Sequence, residues 1–326
     1  KRAAEIADTN FSYNPVFKLR MAQALSGLKQ FNDSLLVLGT LENVGLPKFE
    51  VLVTYGTIYS QMKDFNSSIH YLTMALPLAE TEDQIDIYLD IAYAYQKLNA
   101  IDKSIEVLEN GLALHPTAEP LLYELGFSYD RVGKYQEAID TYLQYIEERP
   151  YANMAWYNLG NTYNKLELFD KAVWAYDYSI LIFPEFAPAH FNMGNAYMSL
   201  GKYHQAIDRF KEVLNLEGDD PMALNYLGEA HEQLLEYDIA LNYYRLSIEI
   251  DPTNYESWLG IGIITDIQGN TREAISLIHK ALDCEPLNSS VNLVLANAYH
   301  KLQEPEQAKH YYLQAISLDW EDEEAL

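Results

Sequence analysis

Apolar residues recur along this chain with the spacing of short amphipathic helices. In WYNLGNTYNKLELFDKAVWAYDYSILIFP, residues 156–184, Trp156, Leu159, Gly160 and Tyr163 lie three, one and three residues apart and share one helix face. Ala172, Tyr176 and Ser179 do the same on a second helix. The segment LELFD between the two, with Pro184 after the second, predicts an antiparallel helical hairpin. Displaced by 34 residues, the pattern recurs in both directions, which marks an α-solenoid.

The period has a packing cause. Where two helices cross closely the contact cannot hold bulk, so position 8 on the first helix and position 20 on the second should both be small. The pairs Ala22/Ser34, Gly56/Ser68, Ala92/Ser104, Gly126/Ala138, Gly160/Ala172, Gly194/Ala206, Gly228/Ala240, Gly262/Ala274 and Ala296/Ala308 all comply. Position 11 is aromatic at Tyr59, Tyr95, Tyr129, Tyr163, Tyr197 and Tyr299, with Leu25, His231 and Thr265 as departures. Position 32 carries Pro116, Pro150, Pro184, Pro252 and Pro286. On these residues the chain resembles the tetratricopeptide repeat family. Its pattern wants Trp, Leu, Gly and Tyr on helix A, then Ala, an aromatic, Ala and Pro on or after helix B. The repeats fall at 15–48, 49–82, 85–118, 119–152, 153–186, 187–220, 221–254, 255–288 and 289–322. The resemblance implies an all-α, right-handed superhelix of helix-turn-helix hairpins, read here as one domain over 15–322.

Several segments depart from the pattern. Residues 1–14 place Ala7 where a preceding helix B would need it, Gly45-Leu46-Pro47 ends the first repeat, and 323–326 form an acidic tail. Two extra residues in LAETEDQ should alter the angle between the second and third repeats. Gly133, Gly201 and Gly269 suit a left-handed cap between helices A and B, as does Asn99. Asp220 and Pro221 should start one helix A, and Pro305 the last helix B. No polar capping helix follows residue 322, so the last hairpin, around Tyr299, Tyr311 and Tyr312, is a candidate for self-association.

Composition narrows the function. A net charge of −26 over 326 residues repels phosphate backbones and anionic membranes, and no basic run interleaves with aromatics. No apolar run reaches a membrane span of about 18 residues. The single cysteine, Cys284, fits a reducing compartment, read as the cytoplasm. No catalytic, metal or cofactor constellation is expected. His190 and His231 take the Trp and Tyr slots and should pack, HEQLL from His231 lacks a second zinc ligand, and Gly260-Ile261-Gly262 lies inside a helix A.

What remains is a binding surface, and no enzyme. The resemblance implies that positions 2, 5, 6, 9, 12 and 13 of helix A look into a concave groove. These give the rings Tyr93, Tyr123, Phe127, Tyr157 and Phe191 beside the carboxamides Asn158, Asn161, Asn192, Asn195 and Asn225. Carboxamides can match a peptide backbone and rings add area at low entropy cost, so an extended peptide is the expected ligand. The same asparagines could instead stabilise the hairpins themselves. Positions 2 and 5 carry no Lys or Arg, which argues against a clamp for a C-terminal carboxylate, and Asp130, Glu229, Glu232 and Asp266 favour a basic or neutral partner. The reading is a non-catalytic scaffold or adaptor. The alternative is the substrate-recognition array of a larger enzyme or sensor, such as a glycosyltransferase or sensor kinase.

Overall fold

The structure, a computed structural model, describes residues 14–41 and 48–324, with side chains to 318. The readings placed on Ala7 and on Gly45–Pro47 lie outside the described residues. Among those described there are eighteen α-helices and no strand. In chain order they are α1 Pro15–Gly27, α2 Phe31–Gly39, α3 Lys48–Gln61, α4 Phe65–Ala75, α5 Thr81–Lys97, α6 Ile101–Leu114, α7 Glu119–Arg131, α8 Tyr135–Glu148 and α9 Asn153–Lys165. Then follow α10 Phe169–Ile182, α11 Ala187–Ser199, α12 Tyr203–Glu217, α13 Pro221–Gln233, α14 Tyr237–Ile250, α15 Tyr255–Ile267, α16 Thr271–Cys284, α17 Ser289–Lys301 and α18 Pro305–Glu324. Odd-numbered helices are the A helices and even-numbered ones the B helices. The chain forms two compact units, Lys1–Thr162 and Tyr163–Leu326.

Within each unit successive helices pack on one another, and the core lies between a B helix and the A helices on either side. In the first unit Tyr88, Ala92, Ile105, Leu108, Leu121 and Leu125 form one such cluster. In the second, Ala206, Ile207 and Phe210 of α12 meet Leu227 and Ala230 of α13. Small residues at position 8 are needed, but the larger neighbour is position 24 rather than position 20. A Cβ on Gly126 would stand 2.8 Å from the Tyr142 ring, on Gly194 2.7 Å from Phe210, on Gly228 2.6 Å from Tyr244, and on Gly262 2.5 Å from Ile278. At two of the three serines in position 20 the hydroxyl touches the same spot, while Ser104 Oγ is buried without a partner. Ser34 Oγ donates to the Ala22 carbonyl at 2.6 Å and Ser68 Oγ to that of Gly56 at 2.8 Å.

All nine A-to-B turns share one backbone solution. The turn residue has positive φ at Lys29, Lys63, Asn99, Gly133, Glu167, Gly201, Leu235, Gly269 and Gln303. The amide of the next residue reaches back five positions to the carbonyl of position 11, as in Gln30 to Leu25, Lys134 to Tyr129 and Glu236 to His231. This closure of the helix end holds the left-handed residue even where its side chain is not glycine. The two extra residues before the third repeat are absorbed by a 3₁₀ turn, Leu76–Leu78, and by a 17-residue α5 where the next six A helices have 13. Asp220 Oδ1 accepts from the Ala223 amide at 2.6 Å and Pro221 opens α13, as its missing donor allows. Pro305 opens α18.

The histidines in aromatic slots are structural. Trp156 Nε1 donates to the Pro150 carbonyl and Trp258 Nε1 to that of Pro252, each at 2.9 Å. His190 repeats the contact, with Nε2 2.9 Å from the Pro184 carbonyl. A carbonyl only accepts, so Nε2 carries the proton, and Nδ1 turns to Arg209 at 3.4 Å. His231 stacks on Tyr243 with ring centroids 5.4 Å apart and sets Nδ1 against Glu236 Oε2 at 2.6 Å.

Candidate functional site

The A helices of each unit are tied to one another by side-chain hydrogen bonds, and these bonds determine which groove residues have capacity to spare. In the first unit Gln96 Nε2 donates to Ser128 Oγ at 3.2 Å, Asn158 Nδ2 to the Tyr123 hydroxyl at 3.0 Å, and Thr162 Oγ1 to Asp130 Oδ1 at 3.1 Å. In the second, Asn225 Oδ1 accepts from Ser257 Oγ at 2.8 Å while its Nδ2 donates to Glu256 Oε2 at 3.3 Å. Lys301 Nζ pairs with Asp266 Oδ1 at 2.9 Å. Asn158 therefore does stabilise helix stacking. Asn225, 3% exposed with both polar ends used, is a packing residue that positions Glu256.

In the first unit two of the sequence-predicted rings, Tyr93 and Tyr123, line one hollow of about 530 Å³ with Leu89, Asp90 and Glu124 among others; Phe127 and Tyr157 are not among its lining residues. Tyr93 is 46% exposed with Lys97 Nζ 5.0 Å over its ring, and Phe127 is 41% exposed beside the Arg131 guanidinium. Tyr157 and Asn161 are half-buried on α9. Tyr145 and Met154 also line the hollow. Tyr145 stands on helix B, which a reading confined to A-helix positions does not reach. Asp90 has no hydrogen bond or ion pair among the described residues, and burial, then Asp86, raises its pKa above the usual carboxylate value.

In the second unit Phe191 meets Phe210 and Tyr226 edge-on, with centroids 5.7 and 5.5 Å apart, so the ring is partly core. Asn192 and Asn195 are half-buried on α11. A hollow of about 440 Å³ is lined by Asn195, Tyr203, Tyr226, Glu229 and Gln233 among others. Glu229, which the sequence places in the groove as one of several acids, is half-buried and unpaired here. Burial, then Glu256 and Glu232, raises its pKa; burial also raises that of Glu232, against the hydrogen bond from Tyr244.

These shifts fix a pH dependence. A carboxyl whose pKa is higher in the folded than in the unfolded chain binds protons more readily when folded. Stability carried by Glu229 and Glu232 is therefore low at neutral pH, rises as pH falls through their raised folded values, and levels off below the ordinary value of 4.5. Thermal melts should show Glu229→Gln more stable than the parent at pH 7 and the gap closing on acidification. A gap that widens on acidification would contradict this assignment.

Among the described residues no group of three or more His, Cys, Asp or Glu could hold a metal ion, and no helix is long and apolar enough to cross a membrane. The comparisons with known proteins agree with the fold. Sequence families described as tetratricopeptide repeat match residues 89–152, 123–188, 221–254 and 289–320, and one described as TPR repeat matches 194–234. The chain belongs to the tetratricopeptide repeat family, and its class is an all-α solenoid of tandem helical hairpins. It is 33% identical over 70 residues to anaphase-promoting complex subunit 6 of Dictyostelium discoideum, a match covering 22% of this chain and only 8% of that protein. Among solved structures it is similar to a tetratricopeptide repeat protein from Parabacteroides merdae. That match has a TM-score of 0.62 and 19% identity, covering 72% of this chain and 93% of the other. It is also similar to MamA from Desulfovibrio magneticus, with a TM-score of 0.50 and 18% identity over 53% of this chain and 97% of that one. At these identities the structures speak for the fold. The family and its hairpin surfaces make the chain a scaffold for protein interaction.

Proposed function

We propose that the A-helix faces hold an extended segment of a partner protein and that the chain itself performs no catalysis. The observation that carries this is the recurrence, at positions 5, 6 and 9, of rings and carboxamides that stay partly accessible. Tyr93, Tyr123, Phe127, Tyr157 and Phe191 supply apolar contact, and Asn161, Asn192 and Asn195 meet the segment's backbone. Asn158 and Asn225 serve the site by bracing Tyr123 and Glu256. The nine-repeat partition over 15–322 describes the array that presents these faces. Net charge −26 supports a basic or neutral partner, and the lone Cys284 supports a reducing compartment such as the cytoplasm. The likeness to a relative named as a subunit of a complex supports a role in assembly. Self-association would use the last hairpin, where Tyr299 and Tyr311 already stack on each other at 5.5 Å.

A displayed random-peptide library selected on the full chain tests the reading. Selected peptides should bind Tyr93→Ala/Phe127→Ala about tenfold or more weakly than the parent, since exposed rings at the centre of a groove act as anchors. Both rings are exposed, so helicity should be unchanged. Peptides that bind this variant and Asn158→Ala/Asn192→Ala as tightly as the parent would refute the groove.

A further inference from the structure

The groove acids of the second unit are not equivalent. Asp266 accepts from Thr271 Oγ1 and pairs with Lys301. Glu232 accepts from the Tyr244 hydroxyl at 2.8 Å, and Glu256 from Asn225 at 3.3 Å. Glu229 alone of these makes no hydrogen bond or ion pair among the described residues, although it is half-buried with Glu232 and Glu256 as its charged neighbours. In the same hollow, Asn195 Oδ1 is enclosed and has no hydrogen-bond partner. The hollow is thus lined by a carboxylate that has no donor, Glu229, and by Asn195, whose enclosed Oδ1 is itself unsatisfied. A half-buried carboxylate without a donor is poorly solvated, so Glu229 is a standing demand for one.

Among the described residues no cation pairs with Glu229, and its charged neighbours are both acidic. The three A helices concerned, α11, α13 and α15, contain no Lys or Arg anywhere in their sequences. Where such a cation is present it is used, as Lys301 on Asp266 shows. The Tyr226 ring, one of the other walls beside Met198, Tyr203 and Gln233, is fixed by stacking on Phe210 at 5.2 Å and by the edge of Phe191. An unpaired carboxylate beside an aromatic wall matches a guanidinium. It is planar, carries five N–H donors and no acceptor, stacks on rings, and is less strongly hydrated than an ammonium. We propose that the hollow formed by Asn195, Tyr226 and Glu229 seats an arginine side chain of the partner segment. The proposal rests on the groove reading and names the chemistry that the second unit selects.

Methyl NMR on the full chain can test this without knowledge of the partner, because Met198 lines this hollow and Met154 the other. With ¹³C-methyl methionine, N-acetyl-arginine amide should shift the Met198 methyl saturably. Its neutral isostere, N-acetyl-citrulline amide, should not, and the lysine counterpart should bind more weakly. Glu229→Gln should weaken the arginine probe by about fivefold or more, and removing an unpaired carboxylate leaves the fold intact. A silent Met198, equal shifts from citrulline, or unaltered affinity in the variant would each overturn the proposal. A shift confined to Met154 would reject this hollow while the groove reading stood, since that reading falls only with the library peptides.

Discussion

Tyr244→Ala is expected to destabilise the second unit by about 3–5 kcal/mol, as truncation of a large buried ring does where the surroundings cannot collapse. Tyr244 is 3% exposed on α14 and lies between two A helices, α13 through Gly228 and α15 through Gly260. Helix backbones on both sides hold the space open, so little relaxation can fill it. The phenol also donates to Glu232, and losing that donor returns a half-buried carboxylate to poor solvation. Tyr244→Phe separates the two contributions. It keeps the ring and should cost about 1.5–3 kcal/mol, the range for a hydrogen bond to a charged group. Hydrogen exchange resolved over 221–267 is the suitable measurement, because a repeat array need not unfold in one step. A loss below about 1 kcal/mol for Tyr244→Ala would show that the ring does not hold these helices together.

The hairpins were legible because their cause is local and repeated. Small residues at positions 8 and 20, proline after helix B and a 3.6-residue stripe each act within one hairpin, and nine copies reinforce the same reading. The turn was legible only in part. Gly133, Gly201, Gly269 and Asn99 announce a left-handed residue, whereas Lys29, Glu167 and Leu235 adopt it because the closing bond to position 11 imposes it. The ligand face was less legible still, since a groove position says where a side chain starts and not what already holds it. Asn158, Asn195 and Asn225 look alike in sequence. Asn158 braces Tyr123, Asn195 keeps an acceptor unused, and Asn225 is bonded at both ends to α15. That difference depends on residues about one repeat away, Tyr123, Ser257 and Glu256, which periodicity within a single helix does not connect. The same holds for Glu229, set apart from Glu232 and Asp266 only by the absence of a donor on neighbouring elements.

Gly228→Ala inverts the ordinary rule for helical glycine. Inside an exposed helix this change removes backbone freedom from the unfolded chain and gains roughly 1 kcal/mol. At Gly228 the new Cβ would lie 2.6 Å from Cδ1 and Cε1 of Tyr244, and at Gly260 2.5 Å from Cε2 and Cζ of the same ring. Neither edge can retreat, because each is held by the other helix, and overpacking of this kind costs about 1–3 kcal/mol. Gly228→Ala should therefore destabilise by up to about 2 kcal/mol once the helix gain is subtracted. Because both glycines act on one ring, their effects should not add. The decisive comparison is in the Tyr244→Ala background, where the obstructing atoms are gone and the added methyl enters the vacated space. There Gly228→Ala should become stabilising, by up to about 1 kcal/mol. If it instead destabilises both backgrounds equally in matched denaturant melts, the requirement for glycine at position 8 comes from the backbone crossing and not from the residue at position 24.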